Sequence, residues 1–140
     1  MTVKEFLNQA HRLDQRINSK LEQIASLHDL ATKATVTYSD MPRNPNKGKS
    51  KVEEIVVKIM GLEEEINKDI DTLVELKADI THLIKKLDSH EYQIILEQRY
   101  LCFKSWEQIS VDMGYSIQHM FRLHDEALKE LSCFYKDESK

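Results

Sequence analysis

The chain of 140 residues carries 20 Lys or Arg against 24 Asp or Glu, a formal net charge of −4, with 31% charged residues and only 3 Gly and 2 Pro. That length leaves room for one or two small domains and excludes a large core; the composition predicts an almost entirely helical protein. No apolar run approaches the ~18–20 residues that span a bilayer, and MTVKEFLNQAHRL has no apolar signal-peptide stretch, so a soluble intracellular protein is expected.

Residues 3–34 read as one amphipathic helix. Val3, Phe6, Ala10, Leu13, Ile17, Leu21, Ile24, Leu27 and Ala31 recur at three- and four-residue steps, while Lys4, Arg12, Arg16, Lys20, Glu22 and Asp29 fall largely off that stripe. His11 and His28 have no His or Cys at i+4 and read as stripe-edge residues, so no metal site is expected.

Residues 35–51, TVTYSDMPRNPNKGKSK, break the pattern with Pro42, Pro45 and the turn formers Asn44, Asn46, Gly48 and Ser50. Across 36–51, Arg43, Lys47, Lys49 and Lys51 outweigh Asp40, a net of +3. The segment is either a solvated hinge that lets the chain reverse or a basic loop whose four cations contact DNA phosphates.

Residues 52–87 make a second long helix with the stripe Val52, Ile55, Ile59, Leu62, Ile66, Ile70, Leu73, Leu76, Ile80, Leu83 and Leu87. Strict heptads would put Asp69 on the seam, so the stripe is expected to step to Ile70. Gly61 costs ~1 kcal/mol relative to Ala inside a helix and is read as the mark of a close helix crossing. An antiparallel hairpin of 3–34 on 52–87 buries both stripes. Its exposed flanks predict a homo-oligomer, a four-helix bundle or longer coil. Glu53–Glu54 and Glu63–Glu65 read as a solvated face.

Asp88, with Glu91 three residues on, reads as the cap of a helix over His90–Cys102, and Phe103 with Trp106 is expected to pack the corner after it. Cys102 and Cys133 have apolar neighbours and are expected to be buried structural thiols in a reducing cytoplasm. Ser105–Leu131, SWEQISVDMGYSIQHMFRLHDEALKEL, then reads as helix, turn, helix. Ser105 with Gln108 forms a capping-box pattern, and Ile109 and Met113 share a face. Gly114 suits a left-handed helix end, Tyr115 supplies an apolar plug, and Ser116 caps a second helix. The apolar residues of that helix are Met120, Leu123, Ala127, Leu128 and Leu131. This is the layout of a DNA-binding helix-turn-helix, and equally of any helical hairpin that turns a corner.

The stretch resembles region 4 of bacterial sigma-70 factors on Ser105, Trp106, Ile109, Met113, Gly114, Tyr115, Ser116, Ala127, Leu128 and Leu131, without insertion or deletion. The segment GYSIQHMFRLHDEAL is similar to the signature of small phage and prophage late-transcription regulators of the ArpU-like type. The resemblance implies major-groove docking by the front of the second helix, a bacterial host cytoplasm, and contact with RNA polymerase as a further possibility. Where sigma factors present two Arg and a Glu, this chain has Ile117, His119 and Gln118, so the base preference is left open.

On that docking mode the DNA-binding residues are Ser105, Trp106, Ser116, Ile117, Gln118, His119, Phe121 and Arg122, with Lys104 assisting at a phosphate. Gln118 suits adenine, Arg122 guanine or a phosphate, and Ile117 or Phe121 a thymine methyl. Residues 88–140 hold six Lys or Arg against ten Asp or Glu, which opposes phosphate binding. No phosphate-cradling Gly loop or nucleophile–base pair occurs, so neither an enzyme nor a cofactor is expected. The expectation is an all-α protein. Residues 1–87 form an oligomerising hairpin with a basic loop at 36–51, residues 88–135 a three-helix domain with the helix-turn-helix, and residues 136–140 a tail. The function that the resemblance implies is sequence-specific DNA binding in transcription regulation. The alternatives are a coiled-coil interaction or structural phage protein, or a sigma-mimicking adaptor for RNA polymerase.

Overall fold

A computed structural model describes residues 1–39 and 45–138 and, of residues 36–39, 45–49 and 137–138, the backbone alone. The chain is all-α: α1 (Val3–Ser39) and α2 (Pro45–Ile84) form a long antiparallel hairpin, followed by α3 (His90–Tyr100), α4 (Trp106–Met113) and α5 (Ile117–Glu138). None of these helices is long and apolar enough to cross a membrane.

The two long helices continue into the segment expected to be irregular. Pro45 opens α2, a position where its missing N–H costs no bond and its fixed φ suits the helix. Arg43 lies outside the described residues, and Lys47 and Lys49 fall in the first turns of α2. Residues 136–138, expected in a tail, extend α5.

The chain divides into two compact units, Gln15–Thr72 and Met1–Asp14 with Leu73–Lys140. In the first, Ile17, Ile55, Ile59 and Ile66 are buried along the hairpin seam. The charged pair in this seam corrects the sequence reading. Lys20 Nζ lies 2.6 Å from Asp69 Oδ2, with both side chains less than one-fifth exposed. Leu21 and Ile70, expected in the stripes, are 49% and 41% exposed. The heptads run on unbroken through Ile17, Lys20 and Ile24 on α1 and through Ile66, Asp69 and Leu73 on α2. Each apolar neighbour sits ~100° further round its helix. The Lys20 stem covers apolar surface while its ammonium satisfies the carboxylate. Gly61 corrects a second expectation: a Cβ there would meet nothing within 4 Å, so among the described residues no helix crosses close to it.

In the second unit, the three C-terminal helices share a core with both ends of the hairpin. Val3, Leu7, Ala10, Ile80, Leu83, Ile84 and Leu87 are buried with Leu96, Tyr100, Ala127 and Leu131. A boundary at 87/88 would cut through this core. Phe103, in the turn after α3, has φ 59 and stacks on His11 at 5.0 Å, with Lys77 Nζ 4.8 Å from its ring centroid. The ring contacts offset the left-handed backbone, which costs ~1–2 kcal/mol in a residue with a Cβ.

Cys102 and Cys133 are exposed, against the expected burial. Cys102 lies in the turn beyond α3, and the Cys133 thiol donates to the Lys129 carbonyl on the outer face of α5 (3.7 Å).

Two expectations follow for stability. Lys20→Leu or Asp69→Leu alone leaves a half-buried charge unpaired and lowers unfolding free energy by about 1–3 kcal/mol, whereas the double variant recovers most of the loss in urea titrations. Leu7→Ala, at a fully buried site, costs about 2–5 kcal/mol and reduces hydrogen-exchange protection in α3 and α5, more than 80 residues away in sequence.

Candidate nucleic-acid interface

Local capping fixes where each helix of the helix-turn-helix begins. Ser89, one residue past the expected Asp88, caps α3 by accepting from the Tyr92 amide (3.3 Å). Ser105 caps α4 by accepting from the Gln108 amide (3.2 Å). The Gln108 side chain does not close the box; it donates forward to Asp112 Oδ1 at 2.8 Å. Gly114 ends α4 at φ 72, ψ 28, and its amide reaches back to the Ser110 and Val111 carbonyls. A Cβ at Gly114 would have open space, so the backbone angle alone requires glycine. The Ser110 hydroxyl donates to the Tyr115 carbonyl, tightening the turn. Ser116 then accepts from the His119 amide (3.2 Å) and starts α5.

These caps set the angle of α5 over a small second core of Ile95, Ile109, Met120 and Leu123, closed by Tyr92, Trp106, Met113 and Tyr115. Behind the front of α5, Met120 and Ala127 are fully buried. In front, Ser116, Gln118 and Arg122 are exposed, as are Ile117 (38%) and Phe121 (43%), while His119 is half-buried. The expected contact residues of α5 therefore share one open face.

Several polar groups on this face already have partners. Arg122 Nη2 donates to His119 Nδ1 at 2.7 Å, and the His119 ring meets Tyr115 edge-on at 4.7 Å. Lys104 Nζ pairs with Asp112 Oδ2 at 3.2 Å. Trp106 is half-buried, edge-on to Phe121 (5.4 Å) and to His124 (4.6 Å). Ser105 is exposed at the N-terminus of α4. Lys51 is exposed on α2, 3.8 Å from Glu54. Sequence reasoning missed Arg99, whose guanidinium lies 4.9 Å from the Trp106 ring centroid and donates to the Lys104 carbonyl at 2.9 Å. It sits on α3, where no motif spacing points to it.

Residues 35–132 match the model of a family described as Protein of unknown function (DUF1492). The chain belongs to this family. The match takes in α2, α3, α4 and most of α5. No curated protein and no solved structure matches the chain.

Beneath the open face, this DUF1492 member buries a polar pair. His124 is 5% exposed, and its Nε2 lies 2.7 Å from the Tyr100 hydroxyl. Burial pushes the His124 pKa down from 6.5 to about 4, with Asp125 opposing and Lys4 and Arg99 adding to the shift. Burial likewise pushes Tyr100 up to about 12. Both groups are neutral at pH 7, and the Tyr100 hydroxyl and the imidazole share one hydrogen bond. Among the described residues no three His, Cys, Asp or Glu side chains come together to hold a metal ion.

The depressed His124 pKa makes stability depend on pH in a defined direction. Between pH 6.5 and 4 the unfolded chain takes up a proton that the folded chain refuses, so stability present above pH 6.5 is lost as pH falls, by about 3 kcal/mol in total. Urea midpoints measured from pH 7 to 4.5 should fall more steeply for the natural chain than for Tyr100→Phe/His124→Leu.

Proposed function

We propose that this chain is a DNA-binding transcription regulator of phage or prophage type, docking the front of α5 in the major groove. The observation that carries the reading is the open face of Ser116, Ile117, Gln118, Phe121 and Arg122 on a helix whose opposite side is locked into the core. A recognition helix needs both properties: side chains free to reach base edges and a scaffold that fixes their angle. Gln118 offers the bidentate amide that suits adenine, and Arg122 reaches guanine or a phosphate after leaving His119. Ser105 places the N-terminus of α4, with its free backbone amides, where a phosphate can be held.

Acidic surroundings and the Lys104–Asp112 pair weaken non-specific attraction. Self-association through the hairpin supplies a second recognition helix and raises affinity through effective concentration. A second reading, an adaptor that touches DNA only when bound to RNA polymerase, is favoured by the exposed Phe121 ring beside Trp106, an apolar pair suited to a protein surface. Selection of full-length protein against random duplex DNA, with and without polymerase, separates the two. The proposed regulator enriches a defined site alone; Gln118→Ala/Arg122→Ala removes the enrichment with helicity and oligomer size unchanged. Equal affinity of that double variant for the selected site refutes the assigned face.

A further inference from the structure

No packing contact among the described residues requires glycine at position 61. Gly61 lies inside α2, a Cβ there would touch nothing within 4 Å, and glycine weakens a helix by ~1 kcal/mol relative to alanine. Yet it lines an open groove of about 580 Å³ between the hairpin arms, together with Gln23, Ser26, Leu27, Lys58, Leu62 and Glu65. Close by on α1, Leu30 is 49% exposed. Small and apolar residues thus lie open at one place on the hairpin flank.

The charges around that place form a self-complementary series. Glu54, Lys58, Gly61, Glu65 and Lys68 follow at steps of four, three, four and three along α2, which makes one ridge beside the seam, and all five are exposed. A second copy laid antiparallel across Gly61 puts its Lys68 against Glu54 and its Glu65 against Lys58. The two-fold operation repeats both pairs, giving four complementary contacts around a Gly61–Gly61 crossing. Within one chain Glu54 meets Lys51 at 3.8 Å with both side chains more than half exposed, a contact weak enough to exchange. On the other flank of α2, Val56, Met60, Glu63, Asn67 and Ile70 form the comparable ridge. In the same register that ridge sets Met60 against Glu63 and Val56 against Asn67, so no ion pair forms between copies.

We infer that the hairpin homodimerises by an antiparallel α2–α2 crossing at Gly61, sealed by Glu54–Lys68 and Lys58–Glu65 pairs between copies. The absent Cβ lets the two backbones approach, Leu27 and Leu62 supply the buried centre, and the charges form a rim that fixes register. This deepens the self-association part of the proposed function and does not depend on DNA binding.

Sedimentation equilibrium of the full chain, without DNA, tests the assignment. The expected mass is twice 16.4 kDa. Lys58→Glu or Glu65→Lys alone should weaken the dimer by roughly tenfold or more, and the two together should restore it, because the swap rebuilds each pair. Gly61→Leu should give monomer while circular dichroism shows helicity kept or raised, which separates a blocked crossing from a failed fold. A monomeric natural chain, single charge variants with unchanged mass, or a dimer dispersed only by Met60→Glu/Ile70→Glu overturns the inference. Since no DNA enters the measurement, loss of the dimer and loss of operator recognition are read independently.

Discussion

The apolar core in which Leu7, Ile80, Leu83, Ile84 and Leu87 meet Leu96, Ala127 and Leu131 is the constraint on which the rest depends. The three C-terminal helices, of 11, 8 and 22 residues, bury part of their apolar surface against the first turns of α1 and the last turns of α2. Each fully buried Leu or Ile adds about 1.5–3 kcal/mol, so the turns contributed by α1 and α2 outweigh any single cap or ion pair in the C-terminal region. The orientation of α5, and with it the open face from Ser116 to Arg122, rests on this core. Residues in the first ten of the chain therefore belong to the support of the candidate interface.

Polar groups are used sparingly and in two different ways. In the hairpin seam, Lys20 and Asp69 meet at 2.6 Å and specify one register of two otherwise apolar stripes, because any slip strands a charge against hydrocarbon. Beneath α5, Tyr100 and His124 are buried as a neutral pair, which avoids the cost of an internal charge at pH 7 but ties stability to pH. In each pair the two side chains share a hydrogen bond. Among the described residues no fully buried side-chain nitrogen or oxygen lacks a partner.

On the open face the cations are held within the chain, Arg122 by His119 and Lys104 by Asp112, while Arg99 lies over Trp106. These contacts occupy part of the positive charge at the face within the chain itself. Ile117 and Phe121 add exposed apolar surface to this face beside those hydrogen bonds.

Local chemistry alone determined much of the molecule. The long stripes specify two helices, Ser105, Gly114 and Ser116 specify the helix-turn-helix, and Met120, Leu123, Ala127 and Leu131 specify which side of α5 is buried. All of these depend on residues within one or two helical turns of each other. Tertiary structure decided what depends on distant partners. Lys20 and Asp69 stay on the seam only because each meets the other, and on its own each looks like a residue to be rotated out. Capping passes from Asp88 to Ser89, and Cys102 and Cys133 face outward beside apolar neighbours. Arg99 reaches Trp106 from another helix. The core shared by the first turns of α1, the last turns of α2 and the C-terminal helices is a fact about closure in three dimensions that periodicity along one helix does not carry.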